Sequence, residues 1–224
     1  KEVGATKIVV TCAHCYNARE RSYPELETAT WRAILDRVWE LRIPHVVFTG
    51  GEPTLRDDLV ELVAYAQKLG LVTGLNTNAR RLADEALMRN LVSAGLDHVQ
   101  ITVESFNPAT HDQMVRASGA WEDTRAGLRN AVNSGIYLMT NTTLLRDNAA
   151  ELENILSFLA EERVPTVGLN ALIYSGHGAT VNSGLPEADL PPLLELASRF
   201  TREHDQRLIW YTPTQYCHFN PLLL

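Results

Sequence analysis

Cysteine is scarce in this chain of 224 residues: there are three, Cys12, Cys15 and Cys217. So small and odd a number excludes a disulfide-stapled fold. Basic residues are also in deficit. Twenty Lys and Arg stand against 27 Asp and Glu, a formal charge of −7. That balance argues against nucleic acid as the main partner. No apolar run approaches the roughly 18 residues needed to cross a bilayer. The opening Lys1-Glu2-Val3-Gly4 lacks the apolar stretch of a secretory signal. The expectation is a cytoplasmic protein with no membrane and no nucleic-acid partner. No Gly-x-Gly-x-x-Gly follows the first expected strand, which weakens a dinucleotide-binding reading.

What is present is ordinary for a globular protein, with 45% hydrophobic and 21% charged residues. That suffices for one large α/β domain or two small ones. Short apolar strands alternate with amphipathic helices. Strands are expected over residues 7–11, 45–49, 71–77, 97–103, 136–144, 165–172 and 207–211. Helices are expected over residues 29–41, 57–69, 84–94, 121–134, 150–162 and 190–203. His111-Asp112 is expected to start a further helix, and Trp31, Trp39 and Trp121 to serve packing. The strands read as buried on both faces, as parallel strands usually are. Six or seven βα units in series fit an open doubly wound sheet or a barrel.

The placement of polar residues favours the barrel. They collect at the expected C-terminal ends of most strands: Cys12 and Cys15, Gly50-Gly51-Glu52, Asn76-Thr77-Asn78, Glu104-Ser105, Asn141-Thr142 and Asn170. A doubly wound sheet concentrates its site at one switch point, whereas a barrel draws on many strands at one mouth. The expected fold is therefore α/β, a partial (β/α)6 TIM-like barrel of parallel strands.

Two motifs carry chemistry. Thr11-Cys12-Ala13-His14-Cys15-Tyr16 follows the first strand and offers two thiolates from one loop, which suit zinc or iron–sulfur. Buried free thiols and a thioredoxin-like redox pair are the alternatives. His14, between the cysteines, reads as poorly placed to share their metal. Thr49-Gly50-Gly51-Glu52-Pro53 ends the second strand. Its glycines let backbone approach a ligand, and Pro53 pushes Glu52 toward an extended conformation. By itself it could also be a plain strand-to-helix turn.

Together the motifs resemble the radical S-adenosylmethionine (SAM) superfamily, whose signatures are a Cys-x3-Cys-x2-Cys loop after strand one and Gly-Gly-Glu-Pro after strand two. Cys12, Cys15 and Tyr16 match the second half of that loop, and Gly50 to Pro53 match the second motif in full. The resemblance continues through Asn76-Thr77-Asn78, Gln100 to Ser105, His111-Asp112 with Arg116, and Asn141-Thr142 with Asn148. It spans about residues 5–205. Tyr216 to Pro221 look like the entry to the auxiliary-cluster (SPASM) extension of the peptide-modifying branch. Residues 1–205 are thus expected to form the barrel, and residues 206–224 to begin a C-terminal extension.

The resemblance implies an enzyme that reductively cleaves SAM at a [4Fe–4S] cluster and abstracts hydrogen from a substrate, a peptide or peptide-derived precursor, with an electron donor as a further partner. An auxiliary cluster in the extension is implied as well, with Cys217 one candidate ligand. Cys12 and Cys15 would be cluster ligands, and Tyr16 would lie near the adenine. Gly50, Gly51 and Glu52 would line the SAM amino group, with Asn76 and Thr77 near SAM or substrate. Glu104 and Ser105 would face the ribose and methionine end, Arg116 the SAM carboxylate, and Asn141 and Asn170 the mouth. No catalytic residue beyond cluster and SAM is expected.

One departure stands out. Counting back four from Cys12 reaches Ile8, which cannot ligate iron. Thr11 abuts Cys12 directly, where the family carries a short block holding the first cysteine. The expectation is that this block is missing from the chain as written. The alternatives are a true deletion leaving an inactive barrel that binds SAM or a peptide, and a zinc or thiol protein built on Cys12 and Cys15.

Overall fold

The computed structural model describes Cys12, His14, Cys15 and residues 25–214. The strand expected over residues 7–11, together with Tyr16 and Cys217, lies outside the described residues.

Among the described residues, six parallel strands form one sheet in the order in which they occur: β1 (His45–Phe48), β2 (Val72–Thr77), β3 (His98–Thr102), β4 (Tyr137–Leu144), β5 (Thr166–Ala171) and β6 (Arg207–Trp210). Strictly sequential parallel pairing separates a barrel from a doubly wound sheet, whose order reverses at a switch point. Right-handed crossovers then put every connecting helix on the same face. Those helices are α1 (Thr28–Glu40), α2 (Leu59–Leu69), α3 (Glu85–Ser93), α4 (Pro108–Val115), α5 (Ala120–Ser134), α6 (Leu152–Glu161) and α7 (Leu190–Glu203). The partial barrel expected from the sequence is the fold observed.

The alternation of side chains explains the core. Leu75, Val99, Ile101, Leu138, Val167 and Leu169 point toward the helices and are fully buried in one large cluster with Leu91, Leu128, Ile155 and Leu194. The other face was expected to be equally buried, but it is partly open. Val47, Val72 and Tyr137 are 38%, 47% and 46% exposed. A sheet that curls without closing leaves its concave face available, so only the helix-covered face needs continuous apolar packing. Asn76, Gln100 and Met139 share one register row on that concave face, and Asn141 and Gly168 share the next.

Local chemistry sets the helix ends. Gly70 and Gly135 close α2 and α5 in the left-handed conformation. Asp84 caps α3 through the Ala86 amide. His111 lies within α4 rather than at its start. Asn107 is the cap, accepting from the Ala109 amide, and Pro108 occupies the first turn, so the helix begins three residues earlier than expected. Trp121 packs in the core beside Phe158, whereas Trp39 is half exposed.

Candidate cofactor site

The cysteine loop, the double-glycine turn and the ends of β2 to β5 meet at one mouth of the sheet. Cys12 shows this most directly. Burial pushes its thiol far above the ordinary thiol range, and the charges of Glu104, Cys15 and Glu52 add to the effect. Glu104, from the end of β3, lies within 4.8 Å of that sulfur. The Cys15 amide donates to the Cys12 carbonyl at 3.1 Å, closing the loop as a tight turn.

Glu52 is held rigidly. Its Oε1 accepts from Thr54 Oγ1 (2.6 Å), Thr77 Oγ1 (2.6 Å) and the Thr54 amide (3.1 Å). Its Oε2 accepts from the Asn78 amide at 2.8 Å. The carboxylate thus ties the Gly50-Gly51 turn to the end of β2. Gly50 sits at φ 139°, in the region that favours glycine. Gly51 is exposed, and a Cβ built on it would meet nothing within 4 Å. Open space therefore borders the turn at Gly51.

Glu104 is wholly buried (0% exposed). Its Oε1 lies 2.9 Å from His14 Nε2, and its Oε2 accepts from the Thr143 amide at 2.9 Å. Burial alone would lower the His14 pKa, but the Glu104 charge and hydrogen bond override it and raise the imidazole above its ordinary value. His111 behaves oppositely. Burial holds it below the ordinary value, an effect that Glu104 and Asp112 only partly offset. Ser105 is also fully buried, donating to Glu151 Oε2 and accepting from the Asn107 amide.

The remaining expected residues divide between the mouth and the concave face. Thr77 is buried against Glu52. Asn76 sits on the concave face beside Gln100. Asn141 Nδ2 donates to Asn170 Oδ1 at 2.9 Å, while Asn141 Oδ1 is buried without a protein partner. Arg116, in the left-handed conformation after α4, lines a cavity of about 230 Å³ with His14, Met114, Asp147 and Val181. Tyr16 lies outside the described residues.

Two features escaped the sequence reading. His14 does not stand apart from the cysteines' chemistry: a ring nitrogen of His14, Cys12 Sγ and a Glu104 oxygen all lie within 4.8 Å of one another. The imidazole folds back over its own loop, which spacing along the chain does not reveal. The loop after β5 also reaches the cysteines, with the His177 and Gly178 amides donating to the Cys15 carbonyl at 2.9 and 3.3 Å. From the sequence, the Ser175-Gly176-His177-Gly178 run reads as a flexible loop, with a substrate role as the alternative, and nothing in it points to the cysteines.

The donors fit a thiolate-bound iron–sulfur group in kind. A bare thiolate beside the Glu104 carboxylate in a half-buried turn is unfavourable, and a cationic centre reverses that balance, because a coordinating thiol is deprotonated by its metal. In number, Cys12 and Cys15 supply two of the three protein ligands of a cluster with one open iron; both are free thiols among the described residues. No helix among the described residues is long and apolar enough to cross a membrane.

Comparison with known proteins agrees with this geometry. A sequence model of the Radical SAM superfamily matches residues 9–159. The Fe-coproporphyrin III synthase of Methanosarcina barkeri is 31% identical over 195 residues, covering 86% of this chain and 48% of that protein. The PqqA peptide cyclase of Gluconobacter oxydans is 35% identical over 171 residues, covering 75% of this chain and 48% of that protein. The chain thus spans about half the length of the curated relatives it matches. In structure, Streptococcus suis SuiB bound to S-adenosylmethionine superposes with a TM-score of 0.77 at 16% identity, covering 90% of this chain and 47% of SuiB. SuiB bound to its precursor peptide SuiA gives a TM-score of 0.78. At that identity the likeness shows the fold.

Proposed function

This chain belongs to the radical SAM superfamily, and from that premise we propose that the protein binds a [4Fe–4S] cluster through Cys12 and Cys15 and cleaves SAM reductively to abstract hydrogen from a peptide or peptide-derived substrate. The observation that carries this reading is the approach of Glu104 to the Cys12 sulfur at the mouth, beside a double-glycine turn that Glu52 ties to the end of β2. When bound, the reduced cluster supplies the electron that splits the C5′–S bond of SAM into methionine and a 5′-deoxyadenosyl radical, and that radical takes a hydrogen atom from the substrate.

The chain's own residues bind, orient and exclude water. Glu52, fixed by Thr54, Thr77 and Asn78, keeps the Gly50-Gly51 turn in place and offers a carboxylate toward the SAM ammonium. Arg116, beside His14 in the adjoining cavity, supplies a guanidinium for the SAM carboxylate. Asn76, Asn141 and Asn170 line the concave face at the mouth. Thr77 and Ser105 support the site through hydrogen bonds to Glu52 and Glu151. Tyr16 is assigned to the adenine. β6 (Arg207–Trp210) pairs with β5 in the barrel sheet, so the boundary expected at residue 205 moves to after Trp210, and the proposed extension follows it, with Cys217 a candidate ligand of an auxiliary cluster. An external electron donor and a cytoplasmic setting complete the reading.

A peptide substrate is supported by the likeness to a peptide cyclase and to a peptide-bound fold neighbour. A tetrapyrrole is a second substrate reading, favoured by the Methanosarcina relative, whose similarity extends over more of the chain. A second reading of the metal is a single zinc ion on Cys12, His14 and Glu104, favoured by their proximity. The test is anaerobic reconstitution of the whole protein, followed by SAM, dithionite and either a candidate peptide or a porphyrin deuterated at its side chains. Formation of 5′-deoxyadenosine supports the activity, and deuterium in it identifies the substrate class. Stoichiometric zinc with no iron chromophore and no 5′-deoxyadenosine would overturn it.

A further inference from the structure

A buried carboxylate must be paired or hydrogen-bonded, and its partners reveal what it is for. All four polar atoms of Glu104 are committed inside the protein. Its amide donates to His111 Nδ1 (3.3 Å) and its carbonyl accepts from Asn148 Nδ2 (2.7 Å). Oε2 accepts from the Thr143 amide (2.9 Å), and Oε1 meets His14 Nε2 (2.9 Å). Three of these partners, from α4, the end of β4 and the turn after β4, belong to the rigid frame. The fourth, His14, is the only one on the cysteine loop, and it lies between the two cysteines. The frame therefore holds Glu104, and Glu104 reaches out to the loop.

We propose that Glu104 is a positioning residue that fixes the cysteine loop over the mouth through His14. The inference rests on the radical SAM reading for its purpose, but not for its geometry. A second anchor acts at Cys15, whose carbonyl accepts from the His177 and Gly178 amides. Gly178 admits no side chain: a Cβ there would lie 2.1 Å from the Ile173 carbonyl oxygen and 3.2 Å from that of His14. The loop is clamped between the end of β3 and the loop after β5, so its sulfurs present a fixed pair of donors. Preorganised ligands of this kind depend on the groups that orient them.

The claim is testable without any cluster. In iron-free whole protein, the rate of Cys12 alkylation by iodoacetamide, read by peptide mass spectrometry, reports how firmly the loop is held. With Glu104 left in place, removing the imidazole does not make the thiol a better nucleophile, so faster alkylation reports loop release. His14→Ala should accelerate it roughly tenfold, the scale of one lost hydrogen bond to a charged group. His14→Gln, whose amide can replace Nε2–H, should restore most of the protection. In reconstituted protein, Glu104→Gln and His14→Ala should each lower retained iron severalfold, and the double variant should fall no further. Unchanged alkylation in His14→Ala would overturn the proposal. So would a Glu104→Gln protein with full iron and a wild-type electron paramagnetic resonance (EPR) signal but lost SAM binding, because Glu104 would then be a cofactor contact. A wild-type protein that takes up no cluster defeats the proposed activity, and the alkylation series still decides the positioning claim.

Discussion

Gly127 lies in the middle of α5, where glycine normally weakens a helix. Replacing it with alanine should gain about 1 kcal/mol of helix propensity. The structure opposes that gain. A Cβ at position 127 would stand 2.1 Å from the backbone carbonyl oxygen of Ala79. An ordinary carbon–oxygen contact is about 3.5 Å, so α5 and the Ala79 turn must separate by more than about 1 Å. Ala79 is itself fully buried in the left-handed conformation (φ 60°) and cannot swing away freely. Separation also stretches the bonds from Thr124 Oγ1 to the Asn78 carbonyl (2.9 Å) and from Asn130 Nδ2 to the Leu82 carbonyl (2.8 Å). Overpacking costs about 1–3 kcal/mol, and two weakened hydrogen bonds add about 1 kcal/mol or more. Set against the propensity gain, the net expectation is a loss of about 2 kcal/mol, or about 4–8 °C in Tm for a domain of this size. Equilibrium urea unfolding of the iron-free protein measures it as a lower midpoint with an unchanged slope. Because the Asn78 amide bonds Glu52, SAM affinity should fall with it. A Gly127→Ala protein as stable as wild type, or more so, would refute the reasoning.

Further outcomes follow from single interactions. Asp112 accepts from the Gly119 and Trp121 amides at the start of α5, so Asp112→Ala should cost about 1–2 kcal/mol in urea unfolding, with Asp112→Asn intermediate. His111 is held below its ordinary pKa by burial, and its Nδ1 accepts from the Glu104 amide, so it must stay neutral in the fold. Its contribution is present above the unfolded value of about 6.5 and is lost as pH falls through the lowered folded pKa. His111→Asn, which keeps an acceptor but does not titrate, should flatten stability against pH on that limb relative to wild type. Leu91 is fully buried among α3 and α5 residues, so Leu91→Ala should cost about 2–5 kcal/mol by the same unfolding assay.

The barrel was legible in the sequence because its signals are local. Strand and helix alternate with glycines at the turns, and the polar residues fall at strand ends, which the six-stranded sequential sheet brings to one mouth. The openness of the concave face was not legible: Val47 and Val72 are as apolar as the core, and only the closure of the sheet decides their exposure. Cys12, Cys15 and the Gly50-Gly51-Glu52 turn could be picked out only through the family resemblance they carry together, since each motif alone also fits a plainer reading. The commitments of Glu104 and Ser105 could not. Both stand at a strand end like any ligand-facing residue, and it takes three dimensions to show that His14, Thr143 and Glu151 have claimed them. The nearness of a His14 ring nitrogen to Cys12 Sγ was not legible either, because it depends on Glu104, ninety residues away, holding the imidazole.

The most direct test of the whole account is EPR of the reconstituted, dithionite-reduced whole protein, recorded with and without SAM. The account predicts a [4Fe–4S]⁺ signal that changes shape when SAM occupies the open iron, and that is abolished in the Cys12→Ala, Cys15→Ala protein. A signal indifferent to SAM, or one that survives loss of both cysteines, would contradict it.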